Sequence, residues 1–279
     1  MINRSWLYVP ADDEARLRKA ATRGADALIL DLEDGVAESR KDLARRNVQL
    51  LLEEAPERPQ LWVRISSDQS AFRADLAAAL HERLDGVVLA KAESTQQIAD
   101  LATALAGMPG ARRGLVPLIE TAVAVTRMSE IAAVGGVSAF QFGEADLSAD
   151  LGVRIGPEEL ELLYVRQQAV VISAASGLLA PIAPVSVDFT DLAAFRHGTQ
   201  RLARMGFVGR ACIHPAQVAV VNEVFTPTNA EVERAETVIR RSEEAAAAGR
   251  GVFVDADGRM ADEAVVRSAR RVLALHSSC

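Results

Sequence analysis

With 279 residues, 49% hydrophobic and 25% charged, the chain suits one large globular domain, or one domain with an appendage. A formal net charge of -7 argues against bulk attraction to nucleic acid or an anionic membrane, though a local basic pocket for a phosphorylated ligand stays open. Two cysteines, Cys212 and Cys279, suggest neither a disulfide framework nor a cysteine zinc site, and they fit a reducing cytoplasm.

The opening stretch, MINRSWLYVPADDE, lacks the apolar core of a signal peptide, and no later run approaches the roughly 20 apolar residues that span a bilayer. Its strand-like part is Trp6 to Val9, closed by Pro10. Asp12 can cap a helix over Glu14 to Arg23, which Gly24 ends. Ala27 to Leu32 is the second run, followed by Glu33, Asp34 and Gly35 and then a polar helix over Ser39 to Glu54. Further runs are Leu61–Ile65 with Arg64 near its end, Gly86–Ala90 before Lys91, and Leu115–Ile119 before Glu120. The sixth is AFQF from Ala139, which breaks at Gly143 and delivers Glu144, Asp146 and Asp150. The seventh is Ile182–Val187 before Asp188, and the eighth is Val208–Ile213 before His214 and Pro215. Helical patterns lie between them, over Ser70–Arg83, Ser94–Leu105, Ala122–Val134, Pro157–Ala175 and Asp191–Met205.

About eight β-then-α units predict a (β/α)8 TIM barrel, and runs such as ALILDL and GVVLA are apolar on both faces, as its strands require. A doubly wound open sheet is the competing fold, but no GxGxxG follows the first strand. The barrel domain spans 1–226. Residues 227–279 form a helical extension: a long helix over Asn229–Ala248, a hairpin or loop around Asp255–Gly258, and a helix from about Asp262 to Leu275. This extension is too short for a domain and is expected to pack on the barrel, on a neighbouring subunit, or over the site as a lid.

In such a barrel the strand C-termini converge on the reactive face. That face would carry Glu33, Asp34, Arg64, Lys91, Glu120, Asp146, Asp188 and His214. Crowded carboxylates repel, and a divalent cation is the simplest compensation. Oxygen-only ligation suits Mg2+; Glu120 and Asp146 end neighbouring strands and are the natural ligand pair, with Glu33 and Asp34 holding metal-bound waters. Each also has a plainer reading. A lone strand-end acid is often a helix cap, Asp34-Gly35 is a turn signal, Asp150 reads as a local cap, and His214-Pro215 as a strand-to-helix turn. Asp255 and Asp257 read as turn residues. Arg64 needs an anion, either a carboxylate of the protein or a substrate. Lys91 raises a Schiff-base aldolase, but it can pair with Glu33 or Glu93, and the surrounding acids would keep it protonated. Arg16, Arg18 and Lys19 read as a solvated helix face, and as phosphate binders by charge alone.

Eight segments together resemble one known family. They are RSWLYVPAD at Arg4–Asp12, LILDLEDGVA at Leu28–Ala37, VRI at Val63–Ile65, AKAE at Ala90–Glu93, LIET at Leu118–Thr121, GEADLSADLG at Gly143–Gly152, CIHPAQV at Cys212–Val218 and GRMAD at Gly258–Asp262. The chain resembles the citrate lyase beta subunit-like group of the HpcH/HpaI aldolase superfamily, which includes malyl-CoA and citramalyl-CoA lyases. The resemblance implies a Mg2+-dependent carbon–carbon lyase that splits a 3-hydroxy-3-carboxyacyl thioester, on CoA or an acyl-carrier protein, into an α-keto acid and an acyl thioester. It implies metal ligation by Glu120 and Asp146, substrate binding by Arg64, water contacts from Glu33 and Asp34, and a general acid/base at Asp262. It also implies a homotrimer in which the lid covers a neighbour's site. Pattern alone makes Asp262 a helix N-cap. Ala90 and Ala261 depart from the family's usual proline and isoleucine, which bears on substrate identity. A Mg2+-dependent aldolase on free α-keto acids, a thioesterase, and a non-catalytic keto-acid or thioester binder are the alternatives.

Overall fold

The structure, a computed structural model, describes residues 3–54, 58–110, 113–255 and 258–277. Cys279 and Asp257 lie outside the described residues. The chain divides into two compact units, Asn3–Asn222 and a C-terminal unit that begins at Glu223.

The larger unit alternates strands and helices. In order they are β1 (Ser5–Pro10), α1 (Glu14–Ala20), β2 (Ala27–Asp31), α2 (Lys41–Glu54), β3 (Gln60–Ile65), α3 (Gln69–Ala79), β4 (Gly86–Leu89), α4 (Thr95–Ala106) and β5 (Gly114–Ile119). Then come α5 (Ala122–Thr126), α6 (Met128–Ala132), β6 (Gln141–Phe142), α7 (Glu144–Leu151), α8 (Leu163–Ala175), α9 (Leu192–Met205), β7 (Arg210–Cys212) and α10 (Pro215–Phe225), within which the division falls. The seven strands make one curled parallel sheet in the order β6-β5-β4-β3-β2-β1-β7. Every residue of β2 and β4 is buried, which explains their apolar runs.

The seventh expected strand does not form as such. Only Ile182 and Ala183 of Ile182–Val187 bridge to other strands, one to Gln141 of β6 and the other to Arg210 of β7. Pro181 and Pro184 flank the pair, and a proline has no N–H to extend a ladder. Two further expectations are corrected. Asp13, not Asp12, caps α1, accepting from the N–H of Arg16. The acids after Gly143 belong to a helix, α7, that was not among the expected helical segments.

The sheet's inner face is laid down two residues at a time. Trp6, Ala27, Ile29, Trp62, Val88, Val116, Leu118, Ala139 and Ile182 form one buried cluster. Trp6 and Trp62 meet edge to face, with ring centroids 4.8 Å apart. Gly86 and Gly114 make room for Trp62: a Cβ on either would meet its ring closer than carbon atoms can approach.

The C-terminal unit holds α11 (Asn229–Ala247), a hairpin of β8 (Phe253–Val254) and β9 (Met260–Ala261), and α12 (Glu263–Ser277). Thr228 and Glu231 form a reciprocal capping box that starts α11, and α11 packs along α12. Arg241 of α11 donates to the Val254 and Asp255 carbonyls, tying the hairpin to the helix.

Candidate active site

Two residues beyond the apolar cluster on β1, β2, β3, β5 and β6, the same inner face turns polar: Tyr8, Asp31, Arg64, Glu120 and Gln141. All five line one cavity of about 670 Å³. Asp146 and Glu144 of α7, Arg16, Lys19 and Arg23 at α1, and His214 also line it.

Arg64 is held on one edge by Asp31, which accepts from Nε at 2.6 Å and Nη2 at 2.7 Å. Asp31 is 3% exposed and also accepts from the N–H groups of Glu33 and Gly35. A side chain at residue 35 would collide with that carboxylate, so glycine is required there. The Arg64 guanidinium lies 5.1 Å from the Tyr8 ring centre, and its Nη1 comes within 3.3 Å of Glu33. Burial opposes the charge on Arg64, but its hydrogen bonds and ion pairing with Asp31 outweigh this and hold it charged. The carboxylate partner that Arg64 needed is Asp31, which the sequence reading had passed over. Tyr8 donates its hydroxyl to Gln141 Oε1 at 3.1 Å, and burial raises its pKa above the ordinary phenol value.

Lys91 Nζ sits 2.7 Å from Glu33 and 3.5 Å from Asp34, so those three predicted residues come together beside Arg64. Although burial disfavours its charge, the Glu33 partner raises the Lys91 pKa, which leaves it a poor Schiff-base nucleophile. Its backbone is left-handed, φ +46°, and aims the Lys91 N–H at Glu120 Oε1, 2.6 Å away.

Glu120 is 1% exposed, and burial pushes its carboxyl up to about 7 against the opposing pull of the Lys91 N–H and Arg64. Oε2 accepts no hydrogen bond from a described residue. Gly143 gives this side chain its space: a Cβ there would stand 2.5 Å from Oε2 and 2.7 Å from the Glu120 Cβ.

Asp146 lies in the first turn of α7, exposed to the cavity, with no ion pair or side-chain hydrogen bond among the described residues. Glu144, two residues earlier, is bound on both oxygens by Arg166 of α8, each at 2.6 Å. Asp150 accepts from the Ala122 N–H at 2.6 Å, so it does cap, but at the start of α5, 28 residues away, and not locally. Among the described residues, no three His, Cys, Asp or Glu side chains form a ready-made metal cage.

Asp188 and His214, also expected at the cavity, take turn roles. Asp188 does not line the cavity; its carboxylate closes an exposed turn by accepting from Thr190 and Asp191, because the strand before it ends early. His214 lines the cavity but stacks on Phe189 at 5.0 Å and accepts from the Ala216 N–H, a turn role. Asp262 is in the C-terminal unit, where Oδ1 accepts from Ala264 and Val265 and caps α12. Of the α1 cations, Arg18 pairs with Glu14 and Glu54, whereas Arg16 and Lys19 line the cavity.

The family described as HpcH/HpaI aldolase/citrate lyase matches residues 4–215. The chain is 33% identical to the mitochondrial citramalyl-CoA lyase of Homo sapiens, over 99% of this chain and 86% of that one. It is 34% identical to the (3S)-malyl-CoA thioesterase of Cereibacter sphaeroides, over 97% and 93%. Its fold is similar to that of CitE from Mycobacterium tuberculosis, crystallised with magnesium, acetoacetate and coenzyme A. The TM-score is 0.78 and the identity 31%, over 99% of this chain and 98% of that one.

Proposed function

The chain belongs to the HpcH/HpaI aldolase/citrate lyase family, and we propose that it is a Mg2+-dependent carbon–carbon lyase. Its substrate is a 3-hydroxy-3-carboxyacyl thioester such as malyl-CoA or citramalyl-CoA, and its products are an α-keto acid and an acyl thioester. The observation that carries this reading is the meeting of Glu120, Asp146 and Arg64 at one cavity.

The donor set fits Mg2+. Glu120 and Asp146 offer hard oxygens without hydrogen-bond partners among the described residues, Oε2 in the case of Glu120, and Mg2+ is usually held by one or two carboxylates with water and substrate completing its shell. When bound, the ion supplies positive charge to the oxygens that chelate it. Glu33 and Asp34, beside Lys91 and Arg64, are the residues we assign to the surrounding waters. Asp262 takes the proton of the substrate hydroxyl, in keeping with its place in the GRMAD segment. The carbon–carbon bond then breaks, its electrons forming the thioester enolate while the alkoxide becomes the keto group. Arg64 stabilises the enolate oxygen or a substrate carboxylate. In the reverse direction Asp262 returns the proton.

Three further elements complete the reading. The sheet is a (β/α)8 barrel, supported by Ile182 and Ala183 bridging both β6 and β7. The cations Arg16, Lys19 and Arg23 at the cavity receive the phosphates of the thioester carrier, CoA or an acyl-carrier protein. The C-terminal unit is a lid that brings Asp262 to a neighbour's site in a trimer. A thioesterase outcome is the second reading, favoured by the similarity to the (3S)-malyl-CoA thioesterase.

The test is an assay with Mg2+ and a panel of acyl-CoA thioesters, malyl-CoA and citramalyl-CoA included, that follows glyoxylate, pyruvate and free thiol. Keto-acid release that is lost in Glu120→Ala, in Asp262→Ala and with chelator supports the lyase. Thiol release without keto acid supports the thioesterase. Release of neither, from folded protein with Mg2+, overturns both for this panel and leaves carrier-protein substrates, free keto acids or a binding role.

A further inference from the structure

The first turn of α7 carries two acids, and the described residues treat them differently. Its N-cap is Gly143, which has no side chain to offer, so Glu144 and Asp146 are the anionic groups at this helix start. Both line the cavity. Asp146 has no ion pair or side-chain hydrogen bond among the described residues, while Glu144 has both oxygens taken by the Nε and Nη2 groups of Arg166, at 2.6 Å each.

The clamp on Glu144 is a built one. Arg166 is 3% exposed, and its remaining nitrogen, Nη1, lies 2.7 Å from Glu159 Oε2. Glu159 holds a left-handed backbone, φ +52°, unusual for a residue with a side chain, and pairs in turn with Arg201 of α9 at 2.5 Å. The line Glu144–Arg166–Glu159–Arg201 alternates in sign and sums to zero. A buried arginine with a bidentate carboxylate partner is a geometrically specific contact, and losing either partner strands a charge out of water. A glutamate kept only for a favourable helix start needs no such partner, because the N-terminal backbone already favours an acid there.

We propose that Arg166 is a positioning residue that engages both oxygens of Glu144 at the cavity wall, so that the first turn of α7 offers one unengaged carboxylate, Asp146, to the metal. The inference rests on the reading of Glu120 and Asp146 as the Mg2+ pair. Its physical content is ligand charge. A third carboxylate on the ion raises affinity for the metal while taking a coordination position and repelling an anionic substrate.

The experiment is Mg2+ titration by calorimetry of the full chain, with no substrate present, alongside kcat and KM. Arg166→Met is expected to bind Mg2+ roughly tenfold tighter, with kcat/KM lower by roughly 10- to 100-fold. Glu144→Gln/Arg166→Met, which removes the released acid as well, is expected to return Mg2+ affinity to within about threefold of the parent. Unchanged affinity in Arg166→Met, or equal weakening in the single and double variants, overturns the proposal and leaves a packing role. Should Arg166→Met not fold, Glu144→Gln decides alone. Parent-like Mg2+ affinity supports a Glu144 engaged by Arg166, and a loss of more than about tenfold makes Glu144 itself a ligand and overturns the proposal. Parent protein that binds no Mg2+, or that binds it equally after Glu120→Ala, overturns the metal reading itself, and this inference with it.

Discussion

Asp31 and Arg64 stand opposite each other in register across β2 and β3, and their side chains close two hydrogen bonds of 2.6 and 2.7 Å. The pair leaves Arg64 Nη1 to face Glu33, 3.3 Å away. Asp31 therefore aims the cation, and it also folds the Glu33–Gly35 loop through two backbone N–H groups.

Asp31→Asn keeps the shape and loses the charge. Removing one partner of a buried pair costs about 3–5 kcal/mol, so the urea midpoint should drop with the denaturant slope unchanged. A misaimed Arg64 should also lower kcat/KM by roughly a hundredfold. A fully active Asp31→Asn protein would show that Arg64 does not need this support.

Glu120 sets a pH dependence. Its folded pKa, about 7, lies above the ordinary carboxylate value of 4.5, so between those limits the metal-free protein holds a proton that the unfolded chain has lost. Stability from this group is complete below the ordinary value and is lost as pH rises through 7. Mg2+ needs the carboxylate, so its binding should weaken below pH 7 and release a proton there. Calorimetry in two buffers of different ionisation enthalpy reads that proton directly.

Gly143→Ala tests the space around Glu120. The added methyl would stand 2.5 Å from Oε2, and the φ of -103° is open to alanine, so the effect is crowding and not backbone strain. Stability should fall by about 1–3 kcal/mol. Mg2+ affinity should fall with it, whereas Gly135→Ala, at a position with no neighbour within 4 Å, should change neither.

Lys91 separates a side chain from a backbone. Lys91→Ala and Lys91→Gly both lose the ion pair with Glu33, and both keep the N–H that Glu120 accepts. Only glycine is at ease at φ +46°, so Lys91→Gly should be the more stable of the two by about 1 kcal/mol in urea unfolding.

The strand starts were legible within a residue or two wherever both faces are buried, as in Ala27–Asp31 and Gly86–Leu89, because the apolar run and the buried segment are then the same stretch. Arg64 and Glu120 were legible for the same reason, as charged residues at the ends of such runs. Asp31 was not: its partner is 33 residues away, and only the register of β2 on β3 brings them together. Arg166 and Glu144, 22 residues apart, were hidden in the same way. Asp188 was misread because Pro181 and Pro184 limit the pairing of the strand that was to present it. The helix at Glu144–Leu151 was missed because three acids in eight residues after a glycine break read as strand-end groups, not as a helical pattern.

Trp62 and Arg64 occupy one face of β3, two residues apart. The indole fills the hollow above Gly86 and Gly114, and the guanidinium reaches the cavity. Residue size at 62 and at the two glycine positions is consequently a single shared quantity. In a lineage that exchanges the tryptophan for a smaller residue, positions 86 and 114 become free to grow, and in one that keeps it they stay locked. Substitutions there are expected to arrive as compensating sets, and an engineer who enlarges either glycine must shrink the indole in the same step or disturb the strand that carries Arg64.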